Sequence, residues 1–315
     1  MTSLNTNSSA MNALSTLRSV NKNLATTQDR ISSGLQVRSA KDNAAYFQIS
    51  KTMEGDSSTY ASINEGLTLT KNSTATARLG AETIQDLGKQ FLDKVSFAQG
   101  AKGGLDEIEN DLAEIVKQME TTLSQSTFNG DDMLAAGATA AGDGTVDAAT
   151  GVLTRTGAST ADATEPTVGA DRTVVTGITR AGGTYATTDI TVGTHDMLKL
   201  VSDFKALSSG FAANAKDGTN GSAFLAGAIA STEGVLSDVT TIATSLGQSE
   251  KSIENQQEFL NKLVDNIDTG VGAMIDANME EEAARLQALQ TQQQLATQAL
   301  SIANQGPSSI MSLFR

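Results

Sequence analysis

Apolar residues recur at alternating steps of three and four along most of this chain. Near its end, Met279, Leu286, Leu289, Ala296, Leu300 and Ala303 fall on one stripe, interrupted only by Glu282 and Gln293. The spacing predicts an amphipathic helix with a heptad-like seam. A lone helix of this length is marginal in water, so its stripe needs a partner. Gly306-Pro307 is expected to stop the helix, leaving Ile310, Leu313 and Phe314 as an apolar tip. The start of the chain repeats the pattern through Asn7, Ala10, Leu14, Leu17, Asn21, Leu24, Gln28, Ile31 and Leu35. This is the 3.5-residue period of helices that wrap around partners. Gly34 stands where a C-terminal cap belongs, and Ser39 with Asp42 reads as a loose capping box opening the next helix.

That next helix is long. Ile49, Met53, Tyr60, Ile63, Leu67, Ala77, Ala81, Ile84, Phe91, Val95 and Ala98 share one register, with Thr70, Thr74 and Gly88 as weak members and Asp56 as a break. Residues 40–98 predict a rod of roughly 90 Å. After glycines at 100–104, Leu105, Ile108, Leu112, Ile115 and Met119 carry a third helix that closes at the Phe128-Asn129-Gly130 turn signal. The seam resumes at Leu225 and runs through Val235, Val239, Ile242, Leu246, Ile253, Leu260, Leu263 and Ile267 to Met274. Gly270 and Gly272 then interrupt it, and the stripe restarts out of phase at Met279, as at a domain boundary.

Residues 129–194 lose the stripe. Gly, Ala and Thr fill 40 of these 66 positions, so little packed helix is expected. Thr173 to Thr179 and Thr184 to Val192 flank Gly182-Gly183 and read as a β-hairpin. Helical spacing returns from His195 to Phe211, and Lys216 to Ser222 reads as a linker. The fold class is therefore mainly α, a nested long-helix coiled coil and bundle built from both chain ends, with a small β-rich insert in the middle. The expected domains are 1–39 with 275–315, 40–128 with 222–274, and the insert 129–221. Residues 131–193 are expected to bury little that the core of an assembly needs and to be dispensable for assembly.

Charge changes the picture in two places. The 315-residue chain carries a formal charge of −14, which argues against nucleic acid or an anionic membrane as partner. Residues 1–50 are net +3 (Arg18, Lys22, Arg30, Arg38 and Lys41 against Asp29 and Asp42), while 276–315 are net −2. Opposite signs favour pairing of the two ends, although exposed pairs contribute only ~0–1 kcal/mol each. Glu281 is expected to reach Arg285 at i+4. No apolar run approaches the ~18 residues of a membrane span, and the N-terminus lacks the pattern of a cleavable secretory signal.

Composition weighs against catalysis and metal binding. There is no Cys and only one His, so a thiol nucleophile and a two-histidine zinc site are excluded. His195 beside Asp196 has no nucleophile-elbow Gly-x-Ser-x-Gly to serve; a histidine at a helix start is the ordinary reading. Gly142-Asp143-Gly144 and Asp217 to Gly221 lack the bidentate Glu of a calcium loop and read as turns. No catalytic residue, cofactor or metal is expected.

Three separated stretches carry a family resemblance. RISSGLQVRSAKDNAA (Arg30 to Ala45) resembles the N-terminal signature of bacterial flagellins, and STFNG (Ser126 to Gly130) the end of their third helix. The segment from Glu280 to Arg315 resembles their C-terminal signature almost residue for residue. Tyr46-Phe47-Gln48 departs from the Gly-Leu-Ala of many members, a feature similar to flagellins of alpha-proteobacteria. The resemblance implies a homo-oligomeric, self-assembling filament subunit for swimming motility. It implies export in an unfolded state through the flagellar type III apparatus, a chaperone on the C-terminal helix, and cap and hook-junction proteins as partners. The expected location is the extracellular flagellum, with no nucleic acid or membrane partner. In the family the terminal helices line an inner tube. The residues expected to pack that filament core are Leu14, Leu17, Leu24, Ile31, Met279, Leu286, Leu289, Leu300, Ala303, Leu313 and Phe314. Leu289 and Leu300 are expected to be buried only there. The alternatives are a hook–filament junction protein, which shares these ends, or another secreted coiled-coil protein.

Overall fold

A computed structural model describes residues 7–101, 103–134, 144–155, 171–179 and 186–313, the last eight as backbone alone. The described elements run α1 (Ser8–Ser33), α2 (Ala44–Gly100), α3 (Leu105–Gln125), β1 (Thr145–Val146), β2 (Leu153–Thr154), β3 (Arg172–Thr179), β4 (Ala186–Val192), α4 (Met197–Ser208), α5 (Phe211–Ala215), α6 (Gly221–Ile275) and α7 (Met279–Leu313). Contacts divide the chain into two compact units, residues 1–59 with 263–315 and residues 60–262. The mainly helical class and the small strand insert are as the periodicity implies.

In the first unit, α1 and α7 lie antiparallel. Asn7 opens α1, its Oδ1 accepting from the Ala10 N–H at 3.0 Å, a standard use of a capping amide. Gly34 closes α1 at φ 73° and donates to the Arg30 carbonyl, a left-handed cap that glycine adopts without strain. The chain then runs beside the end of α6, where Gln36 donates to the Ile275 carbonyl at 2.6 Å and Ala277 to the Gly34 carbonyl at 2.8 Å. A small apolar cluster of Val37, Val271 and Ile275 sits at this crossing.

Three boundaries differ from expectation. The second helix starts at Ala44, not at Ser39: Asn43 Oδ1 accepts from the Ala45 and Tyr46 amides, and Asp42 instead closes a turn by accepting from Ser39. Asn43 captures two first-turn donors, whereas Asp42 faces backwards. Helix α6 runs through Gly270 and Gly272 to Ile275, because a solvated helical glycine costs only ~1 kcal/mol. The break falls at residues 276–278 instead. Helix α7 runs through Gly306-Pro307 to Leu313. Pro307 has no N–H for the Ala303 carbonyl, but Asn7 Nδ2 donates to that oxygen at 2.8 Å.

The second unit has one continuous apolar core. Leu67, Ala77, Ala81, Ile84, Phe91, Val95 and Ala98 of α2 meet Leu112, Ile115 and Met119 of α3, Leu200 and Phe204 of α4, and Val235, Val239, Ile242 and Leu246 of α6. Thr70 and Thr74 are full seam members, since their buried hydroxyls donate to carbonyls four residues back. Gly88 is there for proximity: a Cβ would lie 3.2 Å from the Phe204 ring and 3.0 Å from Leu236. At the end of α3 the Asn129-Gly130 turn has positive φ at both residues, as the hairpin turn type requires.

The insert is stitched to this core. β3 and β4 pair antiparallel, with a bulge at Thr176; the expected Gly182-Gly183 turn lies outside the described residues. Tyr60 donates to the Ile178 carbonyl and Gln256 to the Thr176 carbonyl. Gly151 and Gly227 let the loop of the β1–β2 hairpin touch α6, for a Cβ on Gly227 would fall 1.8 Å from the Thr150 carbonyl oxygen. Residues 131–193 therefore do make buried contacts within the chain. Met133, Leu134 and Val192 are all at most 1% exposed. Small residues here serve close backbone approach, and a few large apolar ones anchor each end.

Candidate assembly surfaces

The seam of the first unit is built from side chains of both α1 and α7. On α7 the positions of least exposure are Glu282, Leu286, Leu289, Gln293, Ala296, Leu300 and Ala303, the expected stripe with its two polar members included. Those polar members are cross-helix pairs. Glu282, 5% exposed, accepts from Arg30 at 3.0 Å and from Arg285 at 3.4 Å, so Arg285 pairs with Glu282 and not with Glu281. Gln293 Nε2 donates to Asn21 Oδ1 at 2.8 Å. These contacts set the register, since sliding α7 by one turn would strand a buried carboxylate.

On α1 the stripe shares Ala10, Leu17, Leu24 and Ile31 with expectation but takes Ala13, Val20, Thr27 and Gly34 as its other positions. The alternation of three and four is the same; the alternate members sit one residue earlier. A signal for this existed: apolar Val20 stands beside polar Asn21, and Thr27 beside the longer Gln28. Leu14 is left 37% exposed. Leu17, Leu24, Ile31, Leu286, Leu300 and Ala303 are half-buried, and Met279 is exposed. Leu289, only 7% exposed, is already covered by α1 within one chain, contrary to the expectation that only a filament buries it. The side chain of Leu313, and Phe314 altogether, lie outside the described residues.

A second stripe on α7 escaped the periodicity reading. Leu295 and Ile302, one heptad apart, are 59% and 70% exposed, and Met11 on α1 is 66% exposed. Large apolar side chains on the open faces of a paired coil are candidates for a contact surface. In the second unit Leu69, Leu79, Phe97 and Phe259 are likewise exposed.

Other candidate chemistry resolves into structural roles. Asp196 Oδ1 caps α4 by accepting from the Lys199 amide at 3.1 Å, so it is not aimed at His195 as a triad acid. The His195 amide instead donates to the Met133 carbonyl at 3.0 Å, tying residues 133–134 to the start of α4. Both ring nitrogens of His195 are buried without a partner among the described residues. Burial pushes the imidazole below its usual range, against a weaker opposing pull from Asp171. The folded-state pKa thus lies below the unfolded value, and between the two the unfolded chain binds more protons. The second unit is expected to be most stable above about pH 6.5 and to weaken as pH falls through that window. His195→Leu, which cannot titrate, is expected to flatten this dependence in urea melts between about pH 5 and 6.5; an unchanged slope would remove His195 as its source. Among the described residues no group of three or more His, Cys, Asp or Glu is placed to hold a metal ion, and no described helix is long and apolar enough to cross a membrane.

A long antiparallel pair made from the two ends of one chain, with large apolar side chains left exposed among the described residues, places the protein with coiled-coil subunits. The bacterial flagellin N-terminal helical region matches residues 4–139 and the C-terminal helical region residues 229–314. Flagellin C of Rhizobium meliloti is 35% identical and a flagellin of Brucella melitensis 34%, each aligned over the full length of both chains. Flagellin FljK of Caulobacter vibrioides is 30% identical over all of this chain and 99% of its own. The chain belongs to the bacterial flagellins. Its function is that of a structural subunit of the flagellar filament.

Proposed function

We propose that the outward apolar stripes of α1 and α7 are the contacts by which copies of this chain build the filament's inner tube. The exposed Leu295 and Ile302 carry this reading: nothing among the described residues covers them, and a heterologous contact repeated from copy to copy generates a helical polymer. In this reading residues 1–39 with 275–315 line the inner tube, residues 40–128 with 222–274 form the outer tube, and 129–221, anchored to that bundle by its buried residues, lies on the solvent side. Leu14, Met279 and the tip at Leu313 and Phe314 join the inter-subunit packing. The chain acts outside the cell after export in an unfolded state through the flagellar type III apparatus. An export chaperone holds the C-terminal helix beforehand, because that helix is marginal without α1. Cap and hook-junction proteins complete the partner set, and the protein performs no catalysis.

The absence of cysteine makes the test clean. Leu295→Cys and Val152→Cys, each labelled with an environment-sensitive fluorophore, are compared before and after seeded polymerisation. Emission at position 295 is expected to shift to the blue, and emission at 152, exposed on the insert, is expected to stay. No shift at 295 in well-formed filaments would place the tube contacts elsewhere.

A further inference from the structure

Helix α7 continues for six residues beyond a proline, and one side chain of α1 makes that possible. Inside an α-helix the carbonyl of residue 303 takes its hydrogen bond from the N–H of residue 307. Pro307 has none, so the helix opens one vacancy at the Ala303 oxygen, which must be filled or solvated. Asn7 fills it: Nδ2 donates to the Ala303 oxygen at 2.8 Å while Oδ1 accepts from the Ala10 N–H at 3.0 Å. A carboxamide can do both, because it carries a donor and an acceptor on one planar group. A carboxylate caps α1 but cannot donate; a lysine donates but cannot cap.

We infer that Asn7 is a latch that makes helix formation beyond Ala303 conditional on pairing with α1. When α1 is absent from α7, the Ala303 carbonyl has no protein donor, and Gly306-Pro307 ends the helix as sequence rules dictate. When the two helices pair, the Asn7 amide takes the vacancy and the helix runs on through 304–313. The tip thereby reports whether the N-terminus has docked. The Gly-Pro pair is a switch point in the C-terminal helix and not its terminus. Two further cross-helix pairs, Asn21 with Gln293 and Arg30 with Glu282, hold the register that brings Asn7 level with Ala303.

The test separates the latch from the cap. Asn7→Asp keeps the N-cap acceptor and removes the donor. Pro307→Ala restores the internal N–H, so the vacancy no longer exists. Amide hydrogen exchange of residues 308–313 is followed in filaments polymerised from the full-length chain. Asn7→Asp is expected to speed exchange there roughly five- to tenfold, the size of one lost hydrogen bond, with residues 282–300 unchanged. The Asn7→Asp/Pro307→Ala double variant is expected to return to within about twofold of Pro307→Ala alone. Where Asn7→Asp fails to polymerise, recovery of polymer in the double variant is the same result in another readout. Parent-like exchange in Asn7→Asp, or no recovery in the double variant, overturns the latch. The readout is the tip's own backbone, so it stands apart from which tube the terminal helices line.

Discussion

Ile302→Glu is expected to abolish polymerisation while leaving the free subunit's thermal melt within about 2 °C of the parent. The side chain is 70% exposed in the single chain, so its replacement removes nothing the subunit packs on itself, and surface changes of this kind stay within ~0.5 kcal/mol. In the proposed filament the same side chain is buried between copies. Losing it forfeits ~1.5–3 kcal/mol, and a carboxylate in its place adds a desolvation cost of similar or larger size. The defect recurs at every contact, so the critical concentration is expected to rise at least ~100-fold. Pelleting after seeding gives the first quantity and circular dichroism the second. Leu289→Glu is the contrasting variant. Leu289 is buried by α1 within the chain, so that change is expected to loosen the terminal pair itself and to lower helicity as well as assembly. Normal filaments from Ile302→Glu subunits would show that the outward stripe of α7 faces solvent in the polymer.

Helix periodicity was the legible part of this chain, for a physical reason. The helices exceed the usual length several times, so each seam repeats often enough to stand out from chance, and α2, α3 and α6 lie within a few residues of their expected spans. The ends were harder, since they depend on which side chain wins a few orphan donors. Asn43 outcompetes Ser39 by reaching two amides, and no spacing rule ranks them. The phase of α1 was ambiguous by one residue because leucine, alanine and isoleucine at 10, 17, 24 and 31 serve either heptad. Only the polarity of Asn21 and Gln28 favoured the register that has Val20 and Thr27 inside.

The assembly surface was legible only in part. A periodic search finds the stripe facing the partner within the chain, and Leu289 belongs there. Leu295 and Ile302 lie off that stripe, and an apolar residue out of register is easily dismissed as scatter. Their seven-residue separation was the available signal. Pro307 misled for the opposite reason: its local rule is sound, but a donor 296 residues away in sequence overrides it. Long-range compensation of a local defect leaves no local trace. Gly227 of α6 behaves alike, since it reads as a weak helix position until the Thr150 carbonyl is seen resting against it.

Arg155 is the residue of the insert whose loss is expected to cost most. It lies in a Gly- and Thr-rich stretch with no periodicity, yet its side chain is only 11% exposed and its guanidinium spans two carboxylates. Nε donates to Asp203 of α4 at 2.7 Å, and Nη2 sits 2.7 Å from Asp238 of α6. Asp203 is 1% exposed and its other oxygen has no partner among the described residues. Burial pushes its carboxyl above the usual range while Arg155 pulls it back down. Removing the cation leaves that carboxylate buried and uncompensated, which typically costs ~3–5 kcal/mol. Arg155→Ala is therefore expected to lower the urea midpoint of the second unit by an amount of that order. Arg155→Met with Asp203→Leu removes the buried pair, leaving only the more exposed Asp238, and is expected to recover most of the loss, since apolar replacement of a buried pair is often neutral. Deleting residues 131–193 is expected to be worse than Arg155→Ala, because Met133, Leu134 and Val192 go with the clamp and each buried apolar side chain is worth ~1.5–3 kcal/mol. Should Arg155→Ala unfold at the parent's urea concentration, the hairpin is not clamped to α4 and α6, and the insert returns to being the dispensable decoration its composition implies.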